Sequence, residues 1–103
     1  MPMAHEMLVG LFVSDETAYA QYRSEMRPIL ERHSGRFRYD FTVSRVLQAE
    51  SEAPINRVFI IAFETRADQE AFFADPEYLP VRARHFDRSV QATTILAEYE
   101  RDA

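Results

Sequence analysis

Cysteine, lysine and tryptophan are all missing from this chain, and glycine occurs only twice. The first two absences and the scarcity of glycine each close a class of chemistry. Without cysteine there are no thiol nucleophiles, disulfides, iron–sulfur clusters or cysteine-based zinc sites. All twelve basic residues are arginine, which removes Schiff-base mechanisms and phosphate loops built on lysine. With only Gly10 and Gly35 available, no glycine-rich loop can cradle a dinucleotide or triphosphate. No Gly-x-Ser-x-Gly elbow exists either. The sequence implies no cofactor. Its internal histidines, His33 and His85, show no metal-binding spacing, so no metal site is expected.

Positive charge is also in short supply. Twelve arginines against seventeen acids leave a net charge of −5. That argues against nucleic acid and anionic membranes as partners, because both are bound by neutralising phosphate. The opening MPMAHEM lacks the basic-then-apolar pattern of an export signal. No apolar run approaches the roughly 20 residues that span a bilayer. The expectation is a cytoplasmic protein.

What is present suits one packed domain over residues 1–103. The chain is 47% apolar and 13% aromatic, enough to bury a core without staples. Met7 to Val13 (MLVGLFV) and Val58 to Phe63 (VFIIAF) are apolar at nearly every position, as strands buried on both faces are. Phe37 to Val43 alternates instead. Phe37, Tyr39, Phe41 and Val43 fall on one side, and Arg38, Asp40, Thr42 and Ser44 on the other. A fourth strand is expected over Ala92 to Tyr99, with Arg101 to Ala103 as a frayed tail.

Between the first two strands, Ala18, Tyr19, Tyr22, Met26, Ile29, Leu30 and His33 recur at three- and four-residue spacing. This is an amphipathic helix, capped near Ser14-Asp15-Glu16 and ended by Ser34-Gly35 with glycine as C-cap. Pro28 predicts a kink near Met26. Thr65 with Asp68 resembles a capping box for a second helix. Pro76 restarts it, and Pro80 breaks the stretch that continues to Phe86.

The order βαββαβ predicts an α+β ferredoxin-like fold. Four antiparallel strands would carry two helices on one face, with the first and third strands central. The helices cover only one face, yet the central strands are apolar on both. Leaving large side chains in water costs several kcal/mol at roughly 25 cal/mol per Å². A second copy in two-fold symmetry is the simplest cover, so a homodimer is expected, its seam apolar in the middle and polar at the second strand.

Three runs, HSGRFRYDF, INRVFIIAF and FFADPEYLPVRARHF, resemble the family called domain of unknown function 1330, within the dimeric α+β barrel superfamily. The likeness extends from Met7 to Tyr99. It is most characteristic at Tyr22, at the His33-Ser34-Gly35 turn and at Pro76-Glu77-Tyr78. Two positions depart from the pattern: Ser34 replaces a glycine of the turn, and His85, with Arg82 and Arg84 nearby, replaces an arginine. The resemblance implies the fold and the dimer, and no reaction. The superfamily includes cofactor-free monooxygenases, lactone isomerases, dehydratases, haem-binding enzymes and ligand-sensing domains.

Candidate residues follow from side-chain chemistry. His33 and His85 could act as general bases, or merely sit at helix ends. Arg38 and Asp40, two apart on a strand, could orient a polar substrate or form an acid–base pair; facing outward they would be a solvated edge. Arg57 could pair with an acid across the dimer or grip a carboxylate ligand through two bonds. Tyr22, Tyr39 and Tyr78 could donate to a bound carbonyl, or be ordinary core tyrosines. Arg82, one turn after Tyr78, could complete an anion clamp.

Two functions remain open. One is a cofactor-independent enzyme, oxygenase- or isomerase-like, acting on a small partly apolar metabolite; it requires a cavity holding a histidine or Asp40 beside a tyrosine or arginine. The other is a non-catalytic module that binds or senses a small carboxylate; it requires an arginine-lined cleft without a base. An RNA-recognition domain shares the element order, but the acidic chain and missing glycines argue against it.

Overall fold

The computed structural model describes residues 3–102. Four strands form one antiparallel sheet: β1 (Met3–Val13), β2 (Gly35–Thr42), β3 (Arg57–Phe63) and β4 (Val90–Asp102). Their order is β2-β3-β1-β4. The two strands that are apolar throughout are indeed central, each flanked by a strand on both sides. Helices α1 (Glu16–Arg32), α2 (Arg66–Phe73) and α3 (Tyr78–Val81) pack on one face, and a π-helical turn, Arg82–Phe86, continues α3. The fold is ferredoxin-like, as the order of elements predicts.

Several local expectations change. β1 starts four residues earlier than its apolar run, because Met3 to Glu6 pair with the far end of β4. Arg101 and Asp102 are therefore strand, not tail; Ala103 lies outside the described residues. The cap of α1 is Asp15, whose Oδ1 accepts the Ala18 N–H at 3.0 Å. The helix runs without interruption through Pro28.

The end of α1 differs from the expected glycine cap. Ser34 carries the left-handed backbone, with φ 59°, whereas Gly35 already begins β2. Gly35 is required for space. A Cβ there would collide with Leu30 Cδ1 and come within 2.8 Å of Phe63 Cε1, both in the core.

β2 holds the most consequential difference. Phe37 pairs with Ile61, but Tyr39 pairs with Ile60, so Arg38 is an extra residue at a bulge. A bulge of one residue reverses the faces beyond it. Phe37 and Asp40 both point to the helices, while Tyr39 and Phe41 point away. Arg38 and Asp40 thus do not share a face. Arg38 bonds Glu6 Oε1 at 3.0 Å, whereas Asp40 bonds Arg23 on α1.

The helix face buries Met7, Val9, Leu11, Phe59, Ile61 and Phe63 against Tyr19, Tyr22, Met26 and Phe72. The opposite face is open. Tyr39 and Phe41 are 55% and 51% exposed there, so the sheet is aromatic at β2 where a polar margin was expected. The connection from Val43 to Asn56 folds over part of this face, with Ile55 against Gly10. At the other end Glu6 is fully buried, held by Arg38, Arg101 and Tyr99 at 2.7–3.0 Å. Burial raises its pKa, but the arginines and Tyr99 outweigh that and hold it below the usual carboxylate range.

Candidate functional site

An apolar chamber of about 300 Å³ lies between the helix face of the sheet and the helices. Its floor is aliphatic and aromatic, with Val9, Leu11 and Phe59 among the lining residues. α1 contributes Tyr19, Tyr22 and Arg23, because helical spacing of three and four puts all three on its inner side. α3 and the π turn contribute Tyr78, Arg82 and Phe86. A π turn widens the helix by one residue, and such turns are frequent at functional sites.

Tyr22 and Tyr78 meet hydroxyl to hydroxyl at 2.7 Å, both buried. One O–H donates to the other, leaving one proton free for a bound molecule. Burial, reinforced at Tyr22 by the Tyr78 hydroxyl, pushes both phenols above their ordinary range. They stay protonated, and so serve as neutral donors rather than as bases. Phe86 lies edge-on to Tyr22 with ring centroids 5.1 Å apart. Arg82, one turn after Tyr78, also lines the chamber. Its Nε is 3.9 Å from Asp87 at half exposure, a loose pair that leaves it able to turn.

Arg23 is a charged chamber residue that sequence reasoning missed. It is 7% exposed and stacks over Phe37, with its guanidinium carbon 3.8 Å from the ring centroid. Its Nε donates to the Tyr19 hydroxyl at 2.8 Å, and Nη1 donates to Asp40 at 3.0 Å. An arginine one residue after Tyr22 reads as a solvent-facing position. The only signal was that it falls four residues after the apolar-face Tyr19.

The remaining candidates lie elsewhere. Asp40 is gripped by Arg23 and also by Arg57, whose Nε and Nη2 reach it at 2.8 and 2.9 Å. Burial raises its pKa, but the bonds from Arg57 and Arg23 outweigh this and lower it. His33 bonds Asp75 at 2.7 Å, outside the chamber, at the turn that starts α3. His85 bonds Glu25 on α1 at 2.7 Å. Glu25 also accepts from Arg84 at 3.1 Å. This anchors the π turn to α1 rather than presenting an imidazole to the chamber. Arg38 and Tyr39 belong to the open face. Among the described residues, none that lines the chamber is histidine, aspartate or glutamate. Among the described residues, no three histidines or carboxylates gather as a metal site.

A family profile, domain of unknown function (DUF1330), matches residues 7–99. The chain belongs to this family. The methylated RPA0582 protein of Rhodopseudomonas palustris superposes with TM-score 0.80 at 18% identity, over 100% of this chain and 84% of that one. A DABB family protein with a ferredoxin-like fold from Mesorhizobium loti gives TM-score 0.59 at 13% identity, over 100% and 98%. A Nitrosomonas europaea protein whose name marks it as antibiotic biosynthesis monooxygenase-like gives 0.53 at 17%, over 98% and 89%. At these identities the likeness is one of fold. A comparison with curated proteins finds no match. Among the described residues, no helix of this DUF1330 protein is long and apolar enough to cross a membrane.

Proposed function

We propose that this DUF1330 protein is a homodimer that binds a small, partly apolar molecule in the Tyr22–Tyr78 chamber without transforming it. The observation that carries this reading is the pair of buried, mutually bonded hydroxyls in a chamber with no acidic or imidazole side chain. A neutral donor on an apolar wall suits a carbonyl or phenolic oxygen. Abstracting a proton needs a base within reach, and His33, His85 and Asp40 are each engaged by other groups. The open face supports the dimer: Tyr39 and Phe41 stand half in water on the sheet, together with exposed Leu96. Such a patch is what a second copy would cover.

A cofactor-independent oxygenase or isomerase is the second reading. It is favoured by the same hydroxyl pair, which could stabilise an oxyanion on the ligand, and by the fold shared with the monooxygenase-like protein. Native mass spectrometry of the purified protein separates these cases. A small molecule recovered unchanged after incubation in air supports binding. Its conversion to an oxygenated or isomerised product overturns that in favour of the enzyme. A protein that holds and binds no small molecule across a panel of aromatic and aliphatic metabolites overturns both.

A further inference from the structure

A second cavity, a groove of about 440 Å³, runs between α1 and the strands β2 and β3, and shares the side chains of Tyr19 and Arg23 with the chamber. Its charge departs from that of the chain. Arg23, Arg27 and Arg57 line it against only two carboxylates, Glu16 and Asp40, in a protein of net charge −5. Asp40 accepts from both Arg23 and Arg57 through four bonds of 2.8–3.3 Å. One carboxylate thus serves two guanidiniums and leaves one positive charge over. Glu16 is 3.7 Å from Arg57 and two-thirds exposed, so water screens it. Arg27 is exposed, and among the described residues no carboxylate lies within ion-pair distance of it.

Arg23 joins the two cavities. It lies over the Phe37 ring, with the Phe59 ring 5.0 Å away, and its forked end turns to Asp40. We propose that chamber and groove form one two-part site for an amphipathic organic acid, its apolar body in the chamber and its carboxylate at Arg27 and Arg57 in the groove. This rests on the reading that the chamber binds a small, partly apolar molecule. Asp40 is then the resident counter-anion. A buried arginine needs a partner when the site is empty, and Asp40 supplies it while fixing both forks in place. The charge left over draws the ligand's anion, to which Arg27 can donate paired N–H bonds and Arg57 the N–H groups not already given to Asp40. The hydroxyl of Ser24 lines the same groove as a further donor.

Calorimetric titration of the full chain with octanoate and with octanamide tests this. The two differ in charge but hardly in shape. Octanoate is expected to bind about fivefold to tenfold more tightly, as a charge-assisted contact requires. Arg27→Ala lowers octanoate affinity to near that of octanamide. Asp40→Asn, which keeps the shape and removes the resident charge, widens the preference for octanoate. Arg27 is exposed, so its variant carries the test should Asp40→Asn fail to fold. Equal affinity for acid and amide in the parent protein overturns the groove and leaves the chamber reading intact. No binding of either compound by the folded parent also overturns the two-part site, and the chamber reading then rests on the metabolite panel alone.

Discussion

The hydroxyl oxygens of Tyr22 and Tyr78 lie 2.7 Å apart where α1 meets α3, fifty-six residues apart in the chain. Removing one leaves the other buried without its partner, which costs about 1–2 kcal/mol. Tyr22→Phe is therefore expected to lower stability by that amount in urea unfolding. Adding Tyr78→Phe should cost less than a second independent loss, because no orphaned hydroxyl remains. Additive losses would show that the bond contributes nothing.

Acid stability depends on Asp40 and Glu6. Both carboxyls sit below their usual range in the folded protein, because bonds from arginines, joined at Glu6 by Tyr99, outweigh burial. Depressed folded values mean that their stabilisation is fully present above the unfolded pKa, roughly 4. It is lost as pH falls through the lower folded value. Urea unfolding should show stability falling steeply below about pH 4. Glu6→Gln should flatten that slope and, by leaving Arg38 and Arg101 without their carboxylate, cost about 2–3 kcal/mol at neutral pH. An unchanged slope counts against this.

Neighbouring residues of the turn after α1 should respond with opposite signs. Ser34 holds a left-handed backbone, φ 59°, so Ser34→Gly relieves strain and raises stability by about 0.5–1 kcal/mol. Gly35→Ala drives a methyl group into Leu30 and Phe63 and lowers it by about 1–3 kcal/mol. Thermal melts of the two variants read both effects. A stabilised Gly35→Ala would contradict the close approach.

Assembly should depend on β2. Phe41 is 51% exposed on the open face, so Phe41→Glu places a charge where the proposed second copy would pack. Light scattering is expected to show a dimer for the parent and a folded monomer for the variant. A parent that is monomeric at micromolar concentration would remove the dimer altogether.

Much of the architecture was legible in the residues. Unbroken apolar runs marked β1 and β3 as central, since edge strands with a polar face alternate instead. Spacing of three and four placed Tyr19, Tyr22 and Met26 on one face of α1, and Thr65 marked the start of α2. Tyr22, Tyr78 and Arg82, candidates on side-chain chemistry alone, all line the chamber. The paired hydroxyls themselves were not, because they meet only when α1 and α3 close on each other.

Tertiary structure decided the rest. A single extra residue at Arg38 turned Tyr39 and Phe41 outward and Asp40 inward, and strict alternation carries no sign of a bulge. Asp40 could then meet Arg23 and Arg57. His33 and His85 found carboxylates on other elements, Asp75 and Glu25. Whether a polar side chain is a base, a clamp or a strut depends on which distant partner the fold brings within about 3 Å of it. The residue types restrict the chemistry, and long-range packing assigns it: here it gave Glu6 and Asp40 to arginines, Asp75 and Glu25 to histidines, and left two tyrosine hydroxyls to the chamber.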